Sequence, residues 1–110
     1  MDWQNNLNAE LEKAEQARAR GNEGQARVYA RRAAGIAAQQ YFFRKGLAIR
    51  TPSAYDLLKL LEEDESLANE LHQSAQYLTL RVNEEFKLPV DVDLISEARK
   101  LCKGLLQDLN

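Results

Sequence analysis

Among its 110 residues this chain has only one histidine, one cysteine, two prolines and five glycines. Each scarcity excludes something. The lone Cys102 cannot form an intrachain disulfide, which fits a reducing compartment and makes a cytoplasmic location the expectation. His72 and Cys102 stand thirty residues apart and do not supply the matched ligand set of a metal site, so no metal and no cofactor is expected. A di-iron bundle needs Glu-x-x-His pairs, and the chain has none. No apolar run approaches the roughly 20 residues of a membrane span, so no membrane contact of that kind is expected. Met1-Asp2-Trp3-Gln4 lacks a basic stretch leading into an apolar core, so no signal peptide is expected. Gly21-Asn22-Glu23-Gly24 is too short and too acidic for a phosphate loop, and no strand precedes it.

What is present is helix-forming. Hydrophobic residues make up 45% and charged residues 29%, an ordinary globular balance that argues against disorder. Ala, Leu, Glu, Gln, Arg and Lys dominate, and all favour helix. The length fits a single domain over residues 1–110 that can bury one core without disulfides or metal. The formal net charge of −2 hides an asymmetry. Residues 1–50 carry nine Lys/Arg against five Asp/Glu, and residues 51–110 carry six against twelve. Such halves fit an anionic ligand at one end, head-to-tail contact between copies, or an unevenly charged solvated surface.

Apolar spacing predicts five helices. The first runs from Asp2, a candidate N-cap, to Arg20, with Trp3, Leu7, Leu11 and Ala14 on one face. Gly21 suits the left-handed position that ends it. The second, Gln25 to Lys45, carries Ala26, Tyr29, Ala30, Ala33, Ala34, Ile36, Ala37, Ala38 and Tyr41. Its small residues spread round the helix, which predicts the central element of the bundle. Gly35 costs about 1 kcal/mol against alanine in a helix interior, so a tight helix crossing is expected there. After Gly46, Thr51-Pro52-Ser53 predicts a third helix, Ser53 to Glu63, with Ser53 and Asp56 as a capping box. The acidic run from Glu62 to Glu65 predicts a break. A fourth helix, Ser66 to Asn83, presents Leu67, Leu71, Ala75, Leu78 and Val82. Glu84 to Val92, with Pro89, reads as a loop. A fifth helix, Asp93 to Leu109, capped by Asp91 or Asp93, presents Leu94, Ile95, Ala98, Leu101, Cys102, Leu105 and Leu109. The fold class is all-α, a compact bundle of about five helices with no β-sheet.

Few side chains carry chemistry. Cys102 lies on an apolar face, where cysteine acts as a small hydrophobe. The basic set Arg18, Arg20, Arg27, Arg31, Arg32, Arg44 and Lys45 is more informative. Arg27 and Arg31, joined by Arg20 and with Tyr29 nearby, form a candidate stripe for RNA phosphates or a nucleotide. The competing assignment for Arg27 is a surface ion pair with Glu23, four residues earlier.

The order of these segments carries a resemblance. Leu11-Glu12-Lys13-Ala14-Glu15 precedes a glycine turn, then the alanine-rich Ala26-Arg27-Val28-Tyr29-Ala30-Arg31-Arg32-Ala33-Ala34. Leu57-Leu58-Lys59-Leu60-Leu61 follows, then Ala75-Gln76-Tyr77-Leu78-Thr79-Leu80-Arg81. Over residues 3–107 this pattern resembles the HEPN family of helical, nucleotide-binding domains. The resemblance implies an up-and-down bundle of four to five helices, a homodimer, a minimal nucleotidyltransferase as partner in two-protein modules of the toxin–antitoxin type, and RNA or nucleotide contact. Many members are metal-independent ribonucleases with an arginine followed, after four to six residues, by histidine. The arginine that matches is Arg81, a further candidate contact for nucleotide or RNA; the competing assignment is an ion pair with Glu84 or Glu85. Phe86, Lys87 and Leu88 occupy the histidine positions, and Val82 replaces the usual polar residue. The expectation is a non-catalytic HEPN-like module acting by homodimerisation and partner binding, with a diverged ribonuclease as the alternative.

Overall fold

The computed structural model describes residues 2–81 and 87–106. It contains five helices and, among the described residues, no strand: α1 (Trp3–Ala19), α2 (Glu23–Arg44), α3 (Ala54–Glu62), α4 (Asn69–Leu78) and α5 (Leu94–Leu106). The all-α helical bundle is as expected. The expected helical positions Val82 and Asn83, the loop start at Glu84, Phe86 of the histidine register and the last-helix position Leu109 lie outside the described residues.

The helix ends follow local chemistry. The Asp2 side chain accepts from the Asn5 N–H and opens α1. Gly21, at φ 78°, and Gly46, at φ 84°, take the left-handed conformation after α1 and α2. Ser53 Oγ accepts from the Asp56 N–H at 3.2 Å, as a cap should. The reciprocal half of the box differs from expectation. The Asp56 carboxylate accepts from the Thr51 hydroxyl, and that hydroxyl takes the Ser53 N–H. Asp93 Oδ1 accepts from the N–H groups of Ile95 and Ser96 and starts α5.

α4 starts later than its apolar pattern predicts. Asp64 Oδ1 accepts from both the N–H and the hydroxyl of Ser66. This local turn competes with helix. Leu67 is still buried, but from the turn rather than from α4.

α2 is the centre, packing against α1, α3 and α5. Ala26, Ala30, Ala33, Ala34, Ala37 and Ala38 are completely buried. Alanine has little apolar surface of its own, so larger neighbours fill the space. Leu7 and Leu11 come from α1, Leu57, Leu58 and Leu61 from α3, Leu78 from α4, and Leu94, Leu101 and Leu105 from α5. Burying each leucine contributes about 1.5–3 kcal/mol.

Five contacts fix the directions. Arg18, near the end of α1, binds Glu23 at the start of α2 and the α5 cap Asp93. Cys102 Sγ donates to the Ala33 carbonyl at 3.7 Å. α5 therefore runs alongside α2 in the same sense, while α1 runs opposite. Completely buried Ser74 on α4 donates to Glu97 Oε1 at 2.8 Å, and Leu71 packs on Gly104, so α4 runs antiparallel to α5.

Candidate functional site

The sequence-derived candidates were Arg27, Tyr29, Arg31 and Arg81. Three of the four meet in one cleft of about 560 Å³, lined by Gly24, Arg27, Arg31, Tyr55, Thr79, Leu80 and Arg81. Arg27 and Arg31 share a face of α2 because they are one helical turn apart. Arg81 arrives from beyond the end of α4, and Tyr55 from the first turn of α3.

Arg31 has a structural task. Its Nε donates to the Leu78 carbonyl at 2.7 Å and its Nη2 to the Leu80 carbonyl at 2.5 Å. These carbonyls end α4 and have no helical partner there. The guanidinium fork thus caps α4 from a neighbouring helix. Burial lowers the Arg31 pKa from its ordinary value, and the positive charges of Arg27 and Arg81 push it further down.

That lowering identifies the electrostatics of the cleft. Three guanidinium groups feel one another, and no carboxylate among the described residues forms an ion pair with Arg27 or Arg81. Glu23, which feels the Arg27 charge, is held instead by Arg18 through contacts of 2.6 and 3.0 Å. The hydrogen bond from Arg18 is also the main reason the Glu23 carboxyl titrates below its ordinary range. The Glu23–Arg27 surface pair is therefore replaced by Glu23–Arg18.

Tyr55 completes the cleft. Arg81 lies over its ring at 5.1 Å, and Lys59 approaches the same ring at 5.7 Å. The aromatic surface is thus framed by cations. The sequence signal for Tyr55 was its place beside the buried Leu57 and Leu58, at the edge of the α3 apolar face. Thr79 and Leu80 offered no comparable signal.

Tyr29 is not part of this site. Two residues from Arg27 on a helix is the far side, and Tyr29 packs with Lys13 and Arg32 at 5.8 and 5.6 Å. Arg20 also stays away, donating to Gln25 Oε1.

His72 is held elsewhere, with Nε2 at 2.5 Å from the Asp64 carbonyl oxygen. Its neighbourhood is a polar clamp. Asp64 Oδ2 accepts from the Tyr41 hydroxyl at 2.6 Å and from Lys45 Nζ at 3.2 Å. Burial would raise the Asp64 carboxyl, but the hydrogen bonds from Ser66, Tyr41 and Lys45 outweigh it and hold the group well below the carboxylate range. Cys102 shows the opposite case. Burial pushes its thiol up to about 12, so it is neutral and unreactive near pH 7. No cluster of His, Cys, Asp and Glu among the described residues is arranged to hold a metal ion. No described helix is long and apolar enough to cross a membrane.

No protein-family model, no curated protein and no solved structure matches this chain. Its own residues therefore carry the functional reading.

Proposed function

We propose that this chain is a non-catalytic, HEPN-like helical module that works by association, pairing with a second copy and offering the arginine cleft to an anionic partner. RNA or a nucleotide is the partner chemistry that fits the cleft. The same surface also suits an acidic patch on a nucleotidyltransferase. One observation carries this reading: Arg27, Arg31 and Arg81 converge beside Tyr55 with no carboxylate paired to Arg27 or Arg81 among the described residues. Arginines with no carboxylate partner among the described residues, which leave out Glu84 and Glu85, are costly to gather, and an incoming phosphate offsets that repulsion. The Arg81 guanidinium, held over the Tyr55 ring, offers a planar surface on which a base can stack beside the phosphate contacts.

Catalysis is left out for a chemical reason. RNA cleavage without metal needs a general acid and base. The single imidazole of the chain, His72, faces the Asp64 carbonyl and is not among the cleft residues.

The test is fluorescence anisotropy with a labelled single-stranded RNA and with a labelled nucleoside triphosphate, at several salt concentrations. Binding that weakens steeply with salt is expected, and the RNA should be recovered intact. Absence of binding to both probes at low salt would sink the anion reading. Metal-independent cleavage that disappears in Arg81→Ala would replace it with a ribonuclease.

A further inference from the structure

The homodimer half of that reading leaves open which face meets its copy. Phe43 is the most exposed large hydrophobic residue among those described, at 66%, although its neighbour Phe42 is buried at 5%. Phe43 is not isolated. With Trp3, Asn6, Ile36, Gln39 and Gln40 it lines a groove of about 340 Å³ where the start of α1 crosses the end of α2. Ile36, Gln39, Gln40 and Phe43 recur at helical spacing on one face of α2. Trp3 and Ile36 are half-buried, so the groove has apolar walls that the monomer only partly covers.

The chemistry of the lining restricts what can cover it. None of the six residues carries a charge, in a chain whose residues are 29% charged. In a twofold dimer the same patch faces itself, so a charged residue near the axis meets its own like charge. Apolar and amide side chains avoid that penalty. Asn6, Gln39 and Gln40 each bring donors and acceptors, so each is complementary to its own copy. The groove continues past Ile36 and Gln39 into a second hollow that contains Glu10 and Arg32. Glu10 there already pairs with Lys13, and Arg32 lies over the Tyr29 ring, so neither requires a charge from the second copy.

We infer that the α1–α2 face centred on Trp3, Ile36 and Phe43 is the surface through which two copies of this chain associate. The inference rests on the homodimer reading but not on the arginine cleft. That cleft is built from Tyr55, Arg81 and the N-terminal half of α2, so this arrangement leaves it free for an anion in each protomer.

The experiment is sedimentation velocity of the full chain at micromolar concentrations, with Phe43→Asp, Gln39→Glu and the control Lys103→Glu. Phe43 and Gln39 are exposed, so helix content by circular dichroism should not change. The wild type and Lys103→Glu are expected to sediment as dimers. Phe43→Asp is expected to weaken the dimer by about thirtyfold or more, the scale of an interface hot spot, and Gln39→Glu should weaken it in the same direction. A wild-type monomer would overturn both the dimer reading and this face. A dimer that Phe43→Asp and Gln39→Glu leave intact would overturn the face alone. So would a dimer lost in Lys103→Glu, since Lys103 lines the adjoining groove between α1 and α5, which shares only Trp3 with this face.

Discussion

A methyl group at Gly35 would stand 2.7 Å from the Cβ of Ala54 and 3.0 Å from its Cα. The middle of α2 and the first residue of α3 therefore touch with only the Ala54 methyl between them. Alanine in place of glycine improves helix propensity by about 1 kcal/mol. Overpacking costs about 1–3 kcal/mol, and here the obstacle is the Ala54 methyl and Cα, which are fixed to the backbone and cannot rotate aside. Gly35→Ala is expected to lower Tm by several degrees in a circular dichroism melt. An unchanged or higher Tm would show that α3 simply shifts away.

Gly104 offers the contrasting case. Its added methyl would meet Leu71 Cδ2 at 2.5 Å and Cδ1 at 2.9 Å. Those atoms are the end of a flexible, half-buried side chain, which can change rotamer. Gly104→Ala should therefore cost less than Gly35→Ala and fall close to neutral. The reverse order in paired melts would contradict the distinction between a backbone and a side-chain neighbour.

The caps at Asp2, Ser53 and Asp93 were legible in the sequence because each depends on residues within a few positions. The Gly35 crossing and the central alanine-rich helix were legible from residue size, while the crossing partner Ala54, far along the chain, was not. The start of α4 was not, since Asp64 and Ser66 form a turn that apolar spacing does not register. The cleft was half legible. Arg27 and Arg31 lie one turn apart on a single helix, so periodicity pairs them. Tyr55 and Arg81 join only through folding, as does the capping of Leu78 and Leu80 by Arg31 across 47 and 49 residues. Tyr29 was misplaced because closeness in sequence was taken for a shared face.

Asp64 gives the fold an acid limit. Its folded-state pKa lies below the ordinary carboxyl value, so its contribution is fully present above about pH 4. It is lost as pH falls through the lower, folded value, because the unfolded chain then binds the proton more readily. Asp64→Asn removes the charge that Tyr41, Lys45 and Ser66 all address. The variant should be less stable than wild type at pH 7 in urea titrations, and the gap should narrow toward pH 2. A gap of constant size would mean that the carboxylate charge is not what holds the clamp.

Cys102 should be chemically silent in the native protein. Its thiol is 7% exposed and raised to about 12. At pH 8 its thiolate fraction is then roughly a thousandfold below that of an ordinary thiol. Labelling with a chromogenic disulfide should be very slow in buffer and rapid in denaturant. Prompt labelling of the folded chain would show that the α2–α5 seam opens on the labelling timescale.

The three cleft arginines should separate into two kinds by experiment. Arg31 binds two carbonyls, so Arg31→Ala leaves buried acceptors unpaired at a cost of about 1–3 kcal/mol. Arg31→Lys keeps the charge but loses the planar fork, so it should recover little of that stability. Arg27 makes no such contact among the described residues, and Arg81 lies over an aromatic ring. Arg27→Ala and Arg81→Ala are therefore expected to melt within about 0.5 kcal/mol of wild type, as surface changes do. Their effect should appear in RNA binding instead. Each should weaken it across unrelated RNA sequences and reduce the slope of log affinity against log salt by about one. If both bind RNA with unchanged affinity and slope while the wild type binds well, the phosphate contacts lie outside this cleft.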